Sequence, residues 1–460
     1  MATTENHPKE EKLQKAKYKI DAMAYGQESG ETYFDFTDTP KVKYFVQVDN
    51  PASSVMPALQ CGIMLTDDER LLIQEHRNDL TIQLKMTKLD MVWDEEISEY
   101  NVESETPIFD LKFQAHINNE DSTKIKTEDK NVNEEDEDGN MTGDVNAMNH
   151  SEIVDFSLSC TDFRNDFKKS INFNHTIPGD SSATVFGAMA LGISKIIKTP
   201  NTVIFQKPDN EENYQQIICP VWNLKDFCNY MQTVYGVYDT GLIVYRDLRY
   251  LYVIPRYSED YAVAKNDYNV VFGYIYDNDV AVNSETKIGY YKDDDNSRYV
   301  TMQPAKYKFG NLQEFSKEVI GNKFKVISNS SEESSVTYEG ETFGGASPFE
   351  DFETGVEGST SAADDRVRYL NSALNNPTEA KSFMFDAKLN TIACQMTFRD
   401  VDVDIFTFNR VYNFIFNDDL TLDAKYGGKF KLLNVRKTIT QEDGMNPMNC
   451  IVVATFAKMS

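Results

Sequence analysis

Three stretches near the start of the chain alternate apolar and polar residues with a period of two. They are KVKYFVQVD at 41–49, LTIQLKMTKLDMVW at 80–93 and IFDLKFQAHI at 108–117. Such alternation, rich in β-branched and aromatic residues, is typical of antiparallel strands with one buried face. We therefore predict a first β domain, a barrel or sandwich, over residues 18–178. A flexible leader at 1–17 precedes it.

A strongly polar segment interrupts this β pattern. Between residues 118 and 150 the chain loses most of its apolar residues and contains the acidic run NEEDEDGN. Alternation resumes in EIVDFSLSC at 152–160. A segment with so few apolar residues cannot bury a core of its own. We interpret it as a long acidic loop between two strands of the first β domain.

The period of the pattern changes near residue 183. ATVFGAMALGISKII at 183–197 has helical spacing, and the candidate N-cap residues Asp180, Ser181 and Ser182 precede it. A second helix is predicted at the start of VWNLKDFCNYMQTVYGVY, with Asn223 as its N-cap. The sequence thus predicts two helices in the middle of the chain.

Two strand-like runs follow the second helix after a tight turn at 239–241. They are LIVYRDL at 242–248 and YLYVIPRY at 250–257, linked through Arg246 and Asp247. Two helices followed by a hairpin predict a small α/β module over residues 179–262.

Strand patterns return after the module and continue to the end of the chain. The strongest are GKFKLLNVRKTIT at 428–440 and CIVVATFAK at 450–458. We predict a second β domain composed of residues 263–327 and 376–460. Its two segments are separated by a Ser-, Gly- and Glu-rich arm at 328–375, in which a short helix is predicted at 364–375.

The predicted fold class is mainly β with α+β insertions. Two antiparallel β-barrel or sandwich domains flank the small α/β module. A chain of 460 residues is long enough for two to four domains, which agrees with this division.

The charge balance of the chain is strongly acidic. There are 46 Lys and Arg residues against 74 Asp and Glu residues, for a formal net charge of -28. A surface this negative repels phosphate, so we do not expect specific binding of DNA or RNA. The same charge has two possible roles, which are general solubility and a channel wall to which DNA does not adhere.

The six cysteines are scattered and include no C-x-x-C pair. This spacing argues against a zinc ribbon or a disulfide framework, and we expect reduced cysteines in the core. No run approaches the roughly 18 apolar residues of a membrane-spanning helix, and the N-terminal residues lack an apolar signal region. We therefore expect no stable membrane insertion.

Candidate catalytic and metal-binding patterns are weak. None of the five histidines forms an H-E-x-x-H pattern. An EF-hand-like string begins at Glu134, but its twelfth position is Val145, where calcium binding requires a bidentate glutamate. The triplet Asp293–Asp295 is interpreted as a solvated turn. A glycosidase-type carboxylate pair is neither supported nor excluded in so acidic a chain.

Motifs for nucleotide binding and acyl transfer were also sought. The chain contains no G-x-S-x-G elbow, Walker A loop or G-x-G-x-x-G turn. We accordingly predict no enzyme activity, no catalytic, metal-binding or cofactor-binding residues, and no cofactor.

Two segments resemble the central baseplate hub family of contractile-tailed bacteriophages and related injection machines. Residues 220–257 are similar to the family's small α/β element, in which an aromatic helix precedes a hairpin with an exposed Arg-Asp tip. The likeness depends on six residues: Trp222, Phe227, Tyr230, Tyr235, Asp247 and Tyr252. Residues 406–458 resemble the closing hairpin of the hub's second tube-like domain.

This resemblance implies a structural hub subunit. Three chains, each with two tube-like domains, would form a trimeric pseudo-sixfold ring between the sixfold tail tube and the threefold spike. The implied partners are a second and third copy of the chain, the tail tube protein, the central spike or tail lysozyme, and neighbouring baseplate wedge proteins. Viral DNA would pass through the lumen without specific binding, and the protein would reside in the virion.

Two alternatives remain from the sequence. The first is a tail-associated protein that binds a glycan or receptor, which would use exposed aromatic residues. Trp93 and Trp222 both lie in amphipathic segments, where core packing is the expected role. The second is a cell-wall-degrading tail lysin, which would require a catalytic domain that the sequence does not reveal.

Overall fold

The fold is known from a computed structural model. It describes residues 14–26, 30–35, 41–94, 99–118, 151–176, 183–197, 202–258, 269–273, 290–293, 299–302, 304, 306–311, 324–328, 336–338, 341–343, 349–352, 366–370, 392–415, 426–441 and 447–459. Most of the acidic loop, the EF-hand-like string and residues 1–13 of the predicted leader lie outside these ranges.

The described residues of the N-terminal β region form seven strands and one helix. They are β1 (Gln14–Gly26), β2 (Thr32–Asp35), β3 (Val42–Asp49), β4 (Ala58–Thr66), α1 (Asp67–Glu75), β5 (Leu80–Asp94), β6 (Glu99–Ile117) and β7 (Ser151–Cys160). All three alternating runs of the sequence lie in strands. Residues 14–17 of the predicted leader belong to β1, because alternation already begins there and Ala16 is buried.

The described part of the module has four helices or strands before residue 200 and six after it. They are α2 (Thr161–Lys168), β8 (Ile171–Thr176), β9 (Ala183–Thr184), α3 (Val185–Ile196), β10 (Val203–Phe205), β11 (Asn213–Tyr214), β12 (Gln216–Trp222), α4 (Leu224–Tyr230), β13 (Leu242–Arg246) and β14 (Leu251–Pro255). A π-helical turn at Met231–Tyr235 extends α4. Both predicted helices are present.

The two helix starts differ in how well the sequence predicts them. The Asn223 side chain accepts a hydrogen bond from the backbone N–H of Asp226, which confirms the predicted N-cap of α4. The predicted caps Asp180–Ser182 are wrong for α3. Thr184 caps α3 instead, by accepting from the backbone N–H of Gly187, because residues 183–184 first form a short strand with β11.

The described C-terminal region contains thirteen strands, most of them short. They are β15 (Asn269–Gly273), β16 (Tyr290–Asp293), β17 (Tyr299–Met302), β18 (Lys306–Asn311), β19 (Phe324–Ser328), β20 (Val336–Tyr338), β21 (Glu341–Phe343), β22 (Phe349–Phe352), β23 (Arg366–Leu370), β24 (Ile392–Arg399), β25 (Val411–Ile415), β26 (Gly428–Thr440) and β27 (Asn449–Lys458). The helix predicted at 364–375 is wrong where the structure describes it. Residues 366–370 instead pair in parallel with β19, and the β-branched and aromatic residues of RVRYL suit a strand.

The two β regions form one continuous sheet. Fifteen described strands are hydrogen-bonded in a single network, in which β3 of the N-terminal region pairs with β26 of the C-terminal region. A second connection joins β1 to β16 at Gln14 and Tyr290. The ends of the chain are therefore joined by backbone hydrogen bonds as well as by packing.

One hydrophobic core fills the space enclosed by this sheet. Tyr18 and Phe113 from the N-terminal region share it with Phe456 from β27 and with Tyr245 from the module. A second core, which includes Val185, Ile217 and Phe227, lies inside the module. Full burial of one large apolar side chain contributes about 1.5–3 kcal/mol, so the shared core is the main force that joins the regions.

Two elements ahead of the predicted module boundary pack with the module. Strand β8 pairs with β12, and Ile171 at its start lies in the module core. All six cysteines are buried, in keeping with the core location predicted from their spacing. In the ranges that the structure describes, no helix is both long and apolar enough to cross a membrane.

Candidate functional site

The turn between β13 and β14 is buried between the module and the two β regions. Arg246, Asp247 and Leu248 in this turn are each at most 7% exposed. The Asp247 carboxylate accepts hydrogen bonds from the backbone N–H groups of Arg249 (2.7 Å) and Tyr250 (2.6 Å). The expectation of an exposed Arg-Asp tip is therefore wrong. Local hydrogen bonds satisfy the Asp247 carboxylate, so this charge can be buried.

Arg246 connects this turn to the N-terminal region and to α2. Its backbone N–H donates to the carbonyl oxygen of Val55 at 2.8 Å. Its guanidinium carbon lies 4.2 Å from the ring centroid of Phe163, a cation–π distance. Burial lowers the pKa of Arg246, and the carboxylates of Asp166 and Asp247 oppose that change. The contact fixes α2 against the hairpin.

Asp49 at the end of β3 is a buried carboxylate that contacts side chains of β3, β13 and β26. Its carboxylate accepts from the Tyr245 hydroxyl of β13 at 2.8 Å and from the Gln47 amide at 2.8 and 3.0 Å. The Lys437 ammonium of β26 lies 3.6 Å away. Burial raises the pKa of Asp49, an effect that Lys437 partly offsets. This carboxylate joins the N-terminal region, the module and the C-terminal region.

Lys88 of β5 forms a second buried connection. Its ammonium lies 2.6 Å from Asp402 in the loop after β24 and 3.1 Å from Asp90 in its own strand. Burial alone would lower the pKa of Lys88, but the two carboxylates outweigh it and the pKa is raised. Lys88 therefore remains charged and binds the C-terminal loop to β5.

Arg249 completes the set of ion pairs. Its guanidinium contacts the Asp404 carboxylate at 2.5 Å. Burial and the neighbouring charge of Asp402 raise the pKa of Asp404, whereas Arg249 and Lys437 act in the opposite direction. We name seven residues the charged junction: Asp49, Lys88, Asp247, Arg249, Asp402, Asp404 and Lys437.

The loop after β24 is held in place by strand β1. The Tyr18 hydroxyl donates to the carbonyl oxygen of Val401 at 3.0 Å and accepts from the backbone N–H of Val403 at 2.9 Å. Asp400 has a φ of 51°, a left-handed conformation that few residues other than glycine adopt. Lys17 pairs with its carboxylate at 2.8 Å. These bonds place Asp402 and Asp404 opposite Lys88 and Arg249.

Aromatic rings surround the charged junction. Phe408 contacts Tyr245 and Tyr252 edge-on, with ring centroids 5.3 and 5.9 Å apart. The Tyr252 hydroxyl donates to Asp247 at 2.7 Å. Edge-on aromatic pairs contribute about 0.5–1.5 kcal/mol beyond their buried area.

A small cleft, with room for little more than a water molecule, opens beside the junction. Its walls come from all three parts of the chain and include Phe45, Phe109, Arg249, Tyr250 and Phe406. The charges that face it already have partners within the protein. The arrangement suits a structural joint, since Lys88–Asp402, Arg249–Asp404 and Lys437–Asp49 each connect elements that are distant in the sequence.

The sequence-derived candidates for chemistry do not converge on this junction. His76 stacks on Tyr33 with ring centroids 4.4 Å apart, and His116 is exposed on β6. Asp293 lies in β16, far along the chain from the junction residues. Within the described ranges, no cluster of three or more His, Cys, Asp or Glu side chains could hold a metal ion.

The residues behind the sequence resemblance divide between two places. Asp247 and Tyr252 belong to the hairpin at the junction, whereas Phe227 lies in the module core. Trp222 is half-buried and stacks on Tyr230, with ring centroids 6.2 Å apart. Tyr235 packs against Tyr230 in the same group. These aromatic residues hold the module together.

Sequence analysis did not identify most of the charged junction. Lys88, Asp402 and Asp404 interrupt otherwise apolar strand or loop patterns, and such interruptions are the only sequence signal for them. A charged residue on the predicted inner face of a strand requires a partner. The partner Asp402 lies more than 300 residues away from Lys88 in the chain, and a local pattern cannot locate it.

Comparison with known protein families identifies the family to which this chain belongs. The family model described as "Bacteriophage PBS1 gene 109 protein" matches residues 13–452. The chain belongs to this family. The match covers both β regions and the module, and it confirms the bacteriophage assignment that the sequence resemblance implied. No curated protein sequence matches significantly.

Similarity to solved structures is low in sequence and extends over nearly the whole chain. The tail protein from Neisseria meningitidis MC58 is 8% identical with a TM-score of 0.45, and the similarity covers 95% of this chain and 96% of that one. The 43 kDa tail protein of prophage MuSo2 from Shewanella oneidensis is 7% identical with a TM-score of 0.42, and the similarity covers 95% of this chain and 98% of that one. A chain of the lidded Francisella PdpA-VgrG complex is 11% identical with a TM-score of 0.44, and the similarity covers 97% of this chain and 53% of that one.

Proposed function

We propose that this member of the phage gene 109 family is a structural, non-catalytic subunit of the central hub of a tail baseplate. Membership in a bacteriophage family supports the viral part of the proposal. The charged junction supports a structural role, because its charges are used to join elements of the fold. The protein would therefore be located in the virion, after assembly in the host cytoplasm.

The pairing of β3 with β26 is the observation on which this proposal depends. It joins two β regions at opposite ends of the chain in one continuous sheet. A subunit with two β bodies, repeated three times, supplies six bodies around a threefold axis. Such a trimeric pseudo-sixfold ring would adapt a sixfold tail tube to a threefold cell-puncturing spike.

The proposed partners follow from this position. The ring would contact the tail tube protein on one side, the central spike or tail lysozyme on the other, and baseplate wedge proteins around it. Viral DNA would pass through its lumen. The net charge of -28 suits such a channel, because acidic walls do not bind phosphate groups.

The oligomeric state tests the proposal directly. We expect light scattering on the purified full-length chain to give three times the 52.6 kDa protomer mass, and electron micrographs to show rings with a central hole. A chain that stays monomeric up to high concentration would contradict a self-assembling ring. That result would instead favour the alternative of a tail-associated protein that binds a glycan or a receptor.

Localisation supplies an independent test. Gold-labelled antibodies against the protein should bind purified virions at the end of the tail, once the baseplate has been partly dissociated to expose the hub. Labelling of capsids, or of infected-cell lysate without virions, would contradict the proposal. A turbidity assay on bacterial cell walls should show no clearing by the purified chain.

A further inference from the structure

Lys17 of β1 contacts side chains from two separate segments of the C-terminal region. Its ammonium group lies 2.8 Å from Oδ2 of Asp400 and also contacts Oδ1 of Asn449. Asp400 directly follows β24, and Asn449 is the first residue of β27. The fold therefore brings an amine into contact with both a carboxyl group and a carboxamide. These three groups are the ones that an amide-forming reaction between side chains requires.

Backbone hydrogen bonds on both sides of Lys17 fix this arrangement. The N–H of Ala16 donates to the carbonyl oxygen of Asp400 at 2.7 Å. Tyr18 exchanges two backbone hydrogen bonds with Met448, at 2.8 and 3.0 Å. The residues next to Lys17 are thus bonded to the two segments that carry its partners. Such positioning removes much of the entropic barrier to a reaction between groups on distant parts of a chain.

The Asp400 carboxylate is oriented by its own contacts. Its Oδ1 accepts a hydrogen bond from the backbone N–H of Cys450 at 3.2 Å, and its Oδ2 is the oxygen that faces Lys17. The backbone N–H of Asp400 donates to the carbonyl oxygen of Cys450 at 2.8 Å. The left-handed φ of 51° at Asp400 is held by these bonds, and strained backbone of this kind is frequent at functional sites.

The site has little access to water. The side chains of Lys17 and Asp400 are 17% and 16% exposed. Tyr18, Met448 and Cys450, which are their partners' and their own neighbours in the chain, are each at most 1% exposed. Exclusion of water protects a reactive amine and carboxamide from side reactions such as hydrolysis.

We propose that Lys17 and Asn449 form an intramolecular isopeptide bond, an amide between two side chains, with Asp400 as the proton carrier. The bond joins Nζ of Lys17 to Cγ of Asn449, and it links β1 covalently to β27. The reaction requires neither an oxidant nor a second protein. This inference is independent of the proposed hub function, because all three groups belong to one chain.

The atoms and charges of the reaction balance within the three side chains. Proton transfer from Lys17 to Asp400 gives a neutral amine, which is the nucleophilic form. The amine nitrogen attacks Cγ of Asn449, while Asp400 gives its proton to the departing nitrogen and accepts one from the attacking nitrogen. The bond between Cγ and the departing nitrogen breaks, and ammonia leaves. It takes the last proton from Asp400 as ammonium, so Asp400 ends as a carboxylate.

The bond closes a loop that contains most of the chain. Lys17 and Asn449 are 432 positions apart. A covalent link restricts the unfolded chain, as a disulfide does, and the effect increases with the length of the closed loop. Unlike a disulfide, an amide is not broken by reducing agents. Strand β1 could then not be pulled away from β27 without the rupture of a covalent bond.

Intact-mass measurement of the denatured full-length chain tests the proposal. The wild-type protein should be lighter than its sequence by one ammonia molecule, and digestion should release a branched peptide that joins Lys17 to Asn449. Lys17→Arg keeps a positive charge beside Asp400 but has no nucleophilic amine, so this variant should have the full mass of its sequence. Asp400→Asn suits a left-handed backbone but cannot carry the proton, and it should also have the full mass.

A matched control and a second readout accompany the mass. Lys19→Arg, at an exposed position of the same strand, should show the same loss of ammonia as the wild type. Because the closed loop makes the denatured chain more compact, the wild type should migrate faster than Lys17→Arg in a denaturing, reducing gel. Circular dichroism of Lys17→Arg should match the wild type, which would show that the reaction is lost and the fold is kept.

Two results would overturn the proposal. A folded wild-type chain with the full mass of its sequence would show that Lys17, Asp400 and Asn449 form only a noncovalent contact. A loss of ammonia without the branched peptide would place the loss at another residue. Both results concern the wild type, so they are decisive even if a variant fails to fold. Neither affects the hub proposal, which the oligomeric state and the location in the virion test.

Discussion

The buried side chain of Lys88 keeps its charge because carboxylates replace the water around its ammonium group. Lys88 has Asp402 and Asp90 within 3.1 Å, and it is 6% exposed. The net contribution of such a pair to stability is small, because the desolvation of both charges offsets their attraction. Removal of one partner is a different matter, because it leaves the other charge buried and alone.

We therefore predict that Lys88→Met destabilises the protein by about 3–5 kcal/mol. Addition of Asp402→Asn should recover part of this loss, because the amide keeps an oxygen for the backbone N–H of Asp404 but has no charge. Urea unfolding of the single and double variants measures both effects. Lys225→Met, at an exposed position of α4, is the control. A double variant less stable than Lys88→Met would contradict this account of the pair.

The carboxyl group of Asp49 makes stability depend on pH. Burial raises its pKa in the folded state, so the folded protein resists ionisation of this group more than the unfolded chain does. From about pH 3.9, where an unfolded aspartate titrates, up to the raised pKa, Asp49 lowers stability progressively as pH rises. Below this window it has no such effect.

Asp49→Asn removes this titration. We predict that the variant gains stability relative to the wild type as the pH rises from about 4 to 7, whatever its offset at pH 4. Urea midpoints measured across this range provide the test, with exposed Asp68→Asn as the control. A constant difference between wild type and Asp49→Asn at all pH values would show that Asp49 does not titrate in this way.

At the scale of elements, helices α3 and α4 pack closely at a glycine. A Cβ atom added to Gly192 would lie 2.4 Å from Cε1 of Phe227. Alanine in place of glycine favours a helix by about 1 kcal/mol, but overpacking of a core costs about 1–3 kcal/mol. The cost should exceed the gain, because the ring of Phe227 is fully buried and has no room to move.

Gly192→Ala should thus lower the free energy of unfolding, although the change favours helix formation. Thermal and urea unfolding give the magnitude. Ser194→Ala, at an exposed position on the same helix, should change stability by less than about 0.5 kcal/mol. Addition of Phe227→Leu to Gly192→Ala should relieve the contact. If Gly192→Ala stabilised the protein, the packing described between these helices would be incorrect.

The elements show which local signals are sufficient for prediction. Asn223 precedes a helical pattern directly, and it caps α4 as predicted. Helix α1 also has a local signal, because Thr66 and Glu69 form a capping box. The sequence analysis did not predict this helix, since it is short and lies between two strongly alternating strands. The run at 366–370 shows the opposite case, since its pairing with β19 outweighs any helical tendency.

At the scale of the whole molecule, the sequence predicted two β regions and a module but not how they are joined. Alternation identifies β3 and β26 as strands, yet it contains no information on which distant strand is the neighbour of each. The burial of Asp247 has the same origin. A hairpin turn is normally polar and exposed, and only the packing of three chain segments around it makes the turn part of the core.

The shared sheet and core predict that the two β regions unfold as one unit. Leu84 of β5 and Phe456 of β27 lie in one hydrophobic cluster, so their backbone amides should exchange hydrogen with the same opening free energy. Lys88→Met, which weakens the junction between the regions, should lower the protection of both amides equally. Native-state hydrogen exchange followed by mass spectrometry measures this in the full-length chain. If Leu84 lost protection while Phe456 kept it, the regions would be separate folding units, and the continuous sheet would not be the source of the subunit's rigidity.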